Sequence, residues 1–181
     1  MARYDPQNKR PAFTGESLRE LALGYVGRFA TTRARLVRYL ERKLRERGWE
    51  GESAPDIEVL ADRFAELGYV DDGAYARMKG AAMERRGLGA RRIGAALRAD
   101  GIDGEDRAAA EEQARAGRWE AAEILARRKR IGPYGVKPED RALWGRLREK
   151  QIAAFLRAGH DLATARAWVE AGPGEMPERG E

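Results

Sequence analysis

Three basic helical stretches of this chain end on the same signal: Leu44-Arg45-Glu46-Arg47-Gly48-Trp49, Leu97-Arg98-Ala99-Asp100-Gly101-Ile102 and Leu156-Arg157-Ala158-Gly159-His160. In the first two, apolar residues four and eight positions before the glycine (Leu40 and Leu44; Ile93 and Leu97) fall on one helical face. The glycine is placed to accept the left-handed turn that stops a helix. The third copy is shifted by one, with Ile152, Phe155 and Leu156 as its stripe. The glycines are 53 and 58 residues apart, which suits three helices per unit. The expected fold is all-α, an elongated array of three tandem three-helix repeats.

The chain has 181 residues, of which 43% are hydrophobic and 36% charged. That is enough apolar material for a core, with heavily solvated faces between the apolar stripes. It contains no cysteine, which excludes a disulfide framework and a thiolate zinc site, and His160 is its single histidine. No cofactor or metal is expected. Residues 1–15 carry Lys9 and Arg10 without an apolar run behind them, and no later window is long and apolar enough to cross a bilayer, so the reading is a cytoplasmic protein without a membrane partner.

Along the chain, residues 1–16 and 172–181 lack periodicity and read as flexible tails. The first repeat is expected at 17–68. It has a helix from Ser17 as N-cap to about Ala30, a second capped by Thr31 or Thr32 and closed by Gly48, and a third begun by Ser53 or Asp56 with Pro55 in its first turn. The second is expected at 69–115: a helix capped by Asp71 with Tyr75, Met78, Ala81 and Ala82 inward, a short helix over 90–99, and an Ala-rich helix capped by Asp103. The third is expected at 118–171, interrupted by the loop signal Gly132-Pro133-Tyr134-Gly135.

Charge is unevenly placed. Residues 28–47 hold eight bases and two acids, whereas residues 50–72 hold eight acids and one base, Arg63. Arg35, Arg38, Arg42 and Arg45 recur at three, four and three, nearly opposite the Leu36/Leu40/Leu44 stripe, so burying that stripe turns them to solvent. Arg91 and Arg98 align similarly in the second repeat, with Arg85, Arg86 and Arg92 nearby and no acid between 85 and 98. Arg127-Arg128-Lys129-Arg130 forms a third cluster. One ridge per repeat can track an extended anionic partner, either acidic protein loops or a phosphate backbone. The competing reading is ordinary solvated helix faces.

Catalytic chemistry finds little support. Gly87-x-Gly89 follows a helix and lacks the third glycine and the Gly-Lys-Ser/Thr of phosphate cradles. Asp71-Asp72 reads as a cap and dipole partner at a helix start. His160 occupies the place of Trp49 and Ile102 after the repeat glycine, which suggests packing. The two serines, Ser17 and Ser53, have no His, Cys or Lys motif beside them. Trp49, Trp119, Trp144 and Trp168 are expected in the packing between helices, with a base or partner pocket as the alternative for any one that is exposed.

The stretch Phe64-Ala65-Glu66-Leu67-Gly68-Tyr69-Val70-Asp71-Asp72-Gly73-Ala74-Tyr75-Ala76, followed by Gly87-Leu88-Gly89-Ala90-Arg91-Arg92-Ile93-Gly94, resembles the RecX family of bacterial RecA regulators. The resemblance covers roughly residues 17–171, and departs from the family in the glycine- and proline-containing insertion at 130–145. It implies a non-enzymatic, monomeric partner of the RecA nucleoprotein filament that lodges in the filament groove. Such a protein lowers RecA ATPase and strand exchange, and so restrains recombination, DNA repair and the SOS response. It also implies a second possibility, direct binding to single- or double-stranded DNA through the basic ridges. Under either implication the arginine and lysine clusters named above are the partner-binding residues.

Overall fold

The computed structural model describes residues 11–179, so the first ten residues of the expected N-terminal tail and the last two of the C-terminal one lie outside the described residues. The fold is all-α. Among the described residues there are nine α-helices: α1 (Gly15–Val26), α2 (Arg33–Arg47), α3 (Ile57–Glu66), α4 (Asp72–Glu84), α5 (Ala90–Ala99), α6 (Gly104–Ala116), α7 (Arg118–Lys129), α8 (Arg141–Ala158) and α9 (Leu162–Glu170). One turn of 3₁₀-helix, Gly132–Tyr134, sits where a loop was expected. The only extended pairing among them is an isolated bridge between Phe13 and Trp49. The chain divides into two compact units, residues 1–75 and 76–181. Nine helices in sequence are consistent with three sets of three, and the sets expected at 69–115 and 118–171 fall in the second unit apart from residues 69–75.

In the first unit, Leu18 and Ala22 of α1, Leu36, Val37 and Leu40 of α2, and Ala61 and Phe64 of α3 close around one core. Folded structure begins earlier than the sequence suggests. Phe13 is buried, with its N–H on the Gly48 carbonyl (3.0 Å) and its own carbonyl accepting Glu50 N–H (3.0 Å). Thr14, not Ser17, caps α1; Ser17 is the third helical residue and answers the Thr14 backbone N–H (2.9 Å), a capping box built with serine in place of the usual Glu or Gln. The helix stops at Val26, and Tyr25 accepts the N–H groups of Arg28 and Phe29 in the turn that follows. Thr32 caps α2 and Asp56 caps α3, so Pro55 precedes the cap instead of sitting in the first turn.

The repeated glycines do stop helices. Gly48, Gly101 and Gly159 have φ of +86°, +83° and +94°, a region that penalises any side chain. After Gly101 and Gly159 the chain makes the same wrap: Ile102 N–H reaches Leu97 O (3.0 Å) and His160 N–H reaches Phe155 O (3.1 Å). Gly48 departs from this because the residues around it are drawn into the pairing with Phe13. In the wrap, the residue after the glycine turns into the core, which explains why Ile102 and His160 are both buried.

In the second unit, α5 and α6 pack face to face through Ile93, Leu97, Ala110 and Ala114. Trp119, Ala122, Leu125, Phe155, Ala165, Trp168 and Val169 form the core of α7–α9. The α4 stripe is rotated from the sequence expectation. Ala76, Gly80 and Met83 face inward, and Met78 is exposed, because α4 approaches Ile93 and Ala110 over the small Gly80. Asp103 occupies the N-cap position of α6 without a capping bond, and its carboxylate meets Arg107 instead (3.3 Å). The segment after α9 is held as well: Gly174 N–H bonds Pro133 O (2.9 Å), Tyr134 OH approaches Met176 Sδ (3.7 Å), and Arg179 pairs with Glu120 (2.9 Å).

His160 donates from Nε2 to the Gly87 carbonyl (3.1 Å) and meets the Phe155 ring edge-on. Burial pushes its pKa below the ordinary 6.5, against the opposing pull of the Gly87 bond and Asp161. The folded state therefore holds a neutral imidazole, while the unfolded chain takes up a proton once the pH falls below that value. Stability contributed by His160 is complete above about pH 6.5 and declines as pH drops through the window below it. Thermal unfolding at pH 7.5 and 5.5 is expected to show a smaller difference for His160→Gln, which keeps a donor for Gly87 and cannot titrate, than for the wild type.

Candidate partner-binding surface

In the first unit the α2 face opposite Leu36, Leu40 and Leu44 carries the predicted ridge, and its members differ. Arg38, Arg42 and Arg45 are exposed. Arg35 is not: half-buried, it donates to the Tyr75 hydroxyl (2.6 Å) with its guanidinium over the Tyr75 ring, a contact across 40 residues that helical spacing does not reveal. Arg42 and Arg45 approach Glu46 and Glu41 on their own helix at 3.7 and 3.9 Å, loose contacts between exposed groups. Between Arg35, Arg38 and Arg42 lies a depression of about 290 Å³, walled by Tyr25 and Tyr39. These two rings are stacked at 4.0 Å, and Arg42 lies over Tyr39. Nothing in the sequence marks these two rings as partners, because their pairing depends on how α1 crosses α2.

The acids of residues 50–72 have structural work. Arg33, not counted in the ridge, pairs with Glu58 (2.7 Å) and with Asp62; the hydrogen bond to Asp62 is the main reason its pKa is raised, and it lowers that of Asp62 in turn. Asp71 caps α4 through Ala74 N–H (2.7 Å), and Asp72 accepts the Arg33 N–H at the start of α2 (2.9 Å). The adjacent acids thus serve two helix N-termini. Among the described residues no group of three or more His, Cys, Asp or Glu side chains is arranged to hold a metal ion.

In the second unit, Arg85, Arg86, Arg91 and Arg92 are exposed at the end of α4 and the start of α5, and among the described residues none of them forms an ion pair. Arg98 differs, because Glu111 of α6 lies within 3.7 Å of it. Glu111 also meets Arg107 (3.6 Å) and Arg115 (3.2 Å), and it is largely shielded from solvent. Gly94 makes the room, since a Cβ there would come within 2.0 Å of the Glu111 carboxylate. Gly94 is thus the slot for an acid that meets three arginines.

In the third cluster Arg127 is committed to Glu123 (2.8 Å) and lies over the Tyr134 ring, and Arg128 donates to Arg86 O (2.9 Å). The Tyr134 hydroxyl bond, followed by that of Arg127, lowers the Glu123 pKa. Lys129 and Arg130 are exposed, with Arg130 ending α7 at φ +53°.

The Gly87-x-Gly89 segment is a packing device. A Cβ on Gly87 would stand 2.9 Å from Leu125 N and one on Gly89 2.6 Å from Gly159 O, which leaves no space for a phosphate on that side. A depression of about 320 Å³ beside it is bordered by Arg91, Arg115 and Arg118. Trp119 and Trp168 are buried with rings 6.3 Å apart; Trp49 and Trp144 are half-buried, Trp144 beneath Lys137.

Over 173 residues the chain is 31% identical to a curated protein named Regulatory protein RecX from Myxococcus xanthus (strain DK1622), covering 91% of both chains. No protein-family model matches it. Among the described residues no helix is long and apolar enough to cross a membrane.

Glu111→Ala leaves Arg98 without its acid and takes one of two acids from Arg107 and from Arg115, and is expected to lower stability in urea unfolding by about 1 kcal/mol. The same change at the exposed Glu66, paired with Arg63 at 3.0 Å, should cost a few tenths.

Proposed function

The chain belongs to the RecX family of regulatory proteins, and from that premise we propose that it binds the RecA filament on DNA, lowers its ATPase and strand-exchange activity, and so restrains recombination and the SOS response. It acts in the cytoplasm as a monomer. Its three-helix repeats at 17–68, 69–115 and 118–171 present the binding side chains. These are Arg38, Arg42 and Arg45 on α2, Arg85, Arg86, Arg91 and Arg92 around α5, and Arg128, Lys129 and Arg130 at the end of α7. Arg35, Arg98 and Arg127, tied to Tyr75, Glu111 and Glu123, contribute from the edge of these surfaces.

The observation that carries this reading is the start of α5. Ile93 and Leu97 are fully buried, which forces Arg91 and Arg92 outward, and among the described residues neither forms an ion pair. Exposed cations without an internal partner retain their capacity to pair with an acidic surface. A second reading, direct DNA binding independent of RecA, is favoured by the Tyr25–Tyr39 stack beside Arg38 and Arg42, since aromatic faces next to cations suit single-stranded nucleic acid.

ATP hydrolysis by the cognate RecA on single-stranded DNA, titrated with this protein, tests the proposal. Inhibition is expected, weakened tenfold or more in Arg38→Glu with Arg42→Glu at unchanged helicity by circular dichroism. That corresponds to about 1.4 kcal/mol, modest for charged interface groups, whose truncation costs about 2 to 5 kcal/mol when buried by the partner. Wild-type inhibition by the double variant leaves the ridge as a solvated face. Tight DNA binding without RecA, steeply salt-dependent and lost in the same variant, supports the second reading.

A further inference from the structure

A depression of about 520 Å³ in the second unit lies between α4 and α5. Its wall on the α4 side is the row Lys79, Ala82 and Met83 of the helix, continued by Arg86 in the turn after it. On the α5 side a matching row begins at Arg92 and continues through Ala95 to Ala99. The floor is aliphatic and shallow-walled because alanines line it, while every charged side chain on the rim is basic. Lys79 holds Asp100; Arg86 and Arg92 are exposed and form no ion pair among the described residues. Lys79 lies within α4, whereas Arg86 stands in the turn that follows it. The groove thus offers an apolar floor with cations at both ends.

We propose that this groove receives an acidic peptide segment of a protein partner, one large aliphatic side chain lying on the alanine floor and carboxylates on either side meeting Arg86 and Arg92. It deepens the proposed function and rests on its reading that the basic surfaces bind an acidic partner; it assigns this site to protein and not to nucleic acid. No aromatic side chain lines the groove, so an unpaired base gains no stacking there. A phosphodiester backbone gains from the arginines and leaves the apolar floor uncovered, whereas an aliphatic side chain removes that floor from water. In this respect the groove is the reverse of the tyrosine-walled depression on the first unit.

The test is fluorescence anisotropy with the full chain and a fluorescein-labelled peptide in which a single leucine is flanked on each side by two glutamates. Binding is expected to weaken at least tenfold when the leucine is replaced by serine. It should weaken at least tenfold for Arg86→Glu with Arg92→Glu, and as much for Ala95→Trp, which fills the floor without changing charge. A single-stranded oligonucleotide of equal charge should not displace the peptide. Both variants alter exposed side chains, and circular dichroism checks that helicity is kept; the arginine pair decides the matter if the tryptophan perturbs α5. Absence of peptide binding, equal binding of the leucine and serine peptides, undiminished binding by the arginine pair, or displacement by the oligonucleotide overturns the proposal. None of these measurements involves RecA, so failure here is distinct from failure of Arg38→Glu with Arg42→Glu to relieve inhibition of its ATPase.

Discussion

In the second unit the end of α8 and the start of α5 meet backbone to backbone. Gly89 N–H bonds Ala158 O at 2.9 Å, Arg91 N–H bonds Gly159 O at 3.2 Å, and His160 closes the seam from its side chain onto Gly87 O at 3.1 Å. Such an approach is possible only because both strands of the seam are glycine at the point of contact: a Cβ on Gly159 would stand 2.4 Å from Arg92 N. Much else in the unit depends on this contact. It satisfies amides that begin α5, which has no side-chain cap, and it fixes the angle at which α5 leaves. It gives His160 a partner inside a core that would otherwise hold an unpaired polar ring. The direction of Arg91 and Arg92 is set by the same bonds.

Electrostatics sorts the cations into two populations. Some hold the fold together: Arg33 with Glu58 and Asp62, Arg98, Arg107 and Arg115 around Glu111, Arg127 with Glu123, Arg148 with Glu170. The acids involved are mostly four residues away on the same helix or on the helix packed against it. Others stand where the sequence supplies no acid within reach, above all between residues 85 and 98. A net charge of +5 understates this separation, because Asp56, Glu58, Asp62, Asp71 and Asp72 are spent on caps and on Arg33. The excess that remains is concentrated on the faces opposite Leu40 and Ile93.

How much of this was legible in the sequence follows from the range of each interaction. Short-range features were: α5 runs over the expected 90–99, Thr32 and Asp56 cap where the pattern of polar residue and apolar stripe puts them, and the three glycines stop their helices. Features made by distant residues were not. Arg35 looked like a ridge member because Tyr75 lies 40 residues away, and Arg98 looked free because Glu111 reaches it through the gap left by Gly94. Met78 was read as buried since its spacing from Tyr75 is helical, yet the close approach at Gly80 turns α4 the other way. Both tails were read as loose because single hydrogen bonds from Phe13 or Gly174 leave no periodic trace. For the site, exposure of the ridges was readable from the apolar stripe opposite, whereas the side chains that give each surface its character, Tyr39 on one unit and the alanine row on the other, were not.

That character separates two surfaces which share a charge. On α2 the arginines stand beside stacked tyrosines, and on α4 and α5 they stand beside alanine and methionine. Cations alone attract any anion, and the attraction fades over roughly 8 Å at physiological salt. Discrimination among anions therefore comes from the uncharged surface within reach of the same guanidinium. Aromatic faces accept planar bases, and a shallow aliphatic floor accepts branched side chains. On the proposed reading, the partner is a protein filament on DNA and offers both kinds of group. A regulator that carries the two chemistries on separate compact units can engage each component without requiring any one surface to recognise both. On the proposed reading, the lack of an ion pair at Arg91 and Arg92 among the described residues acquires a reason beyond solubility, because a carboxylate bonded there would compete with the partner for the same guanidinium.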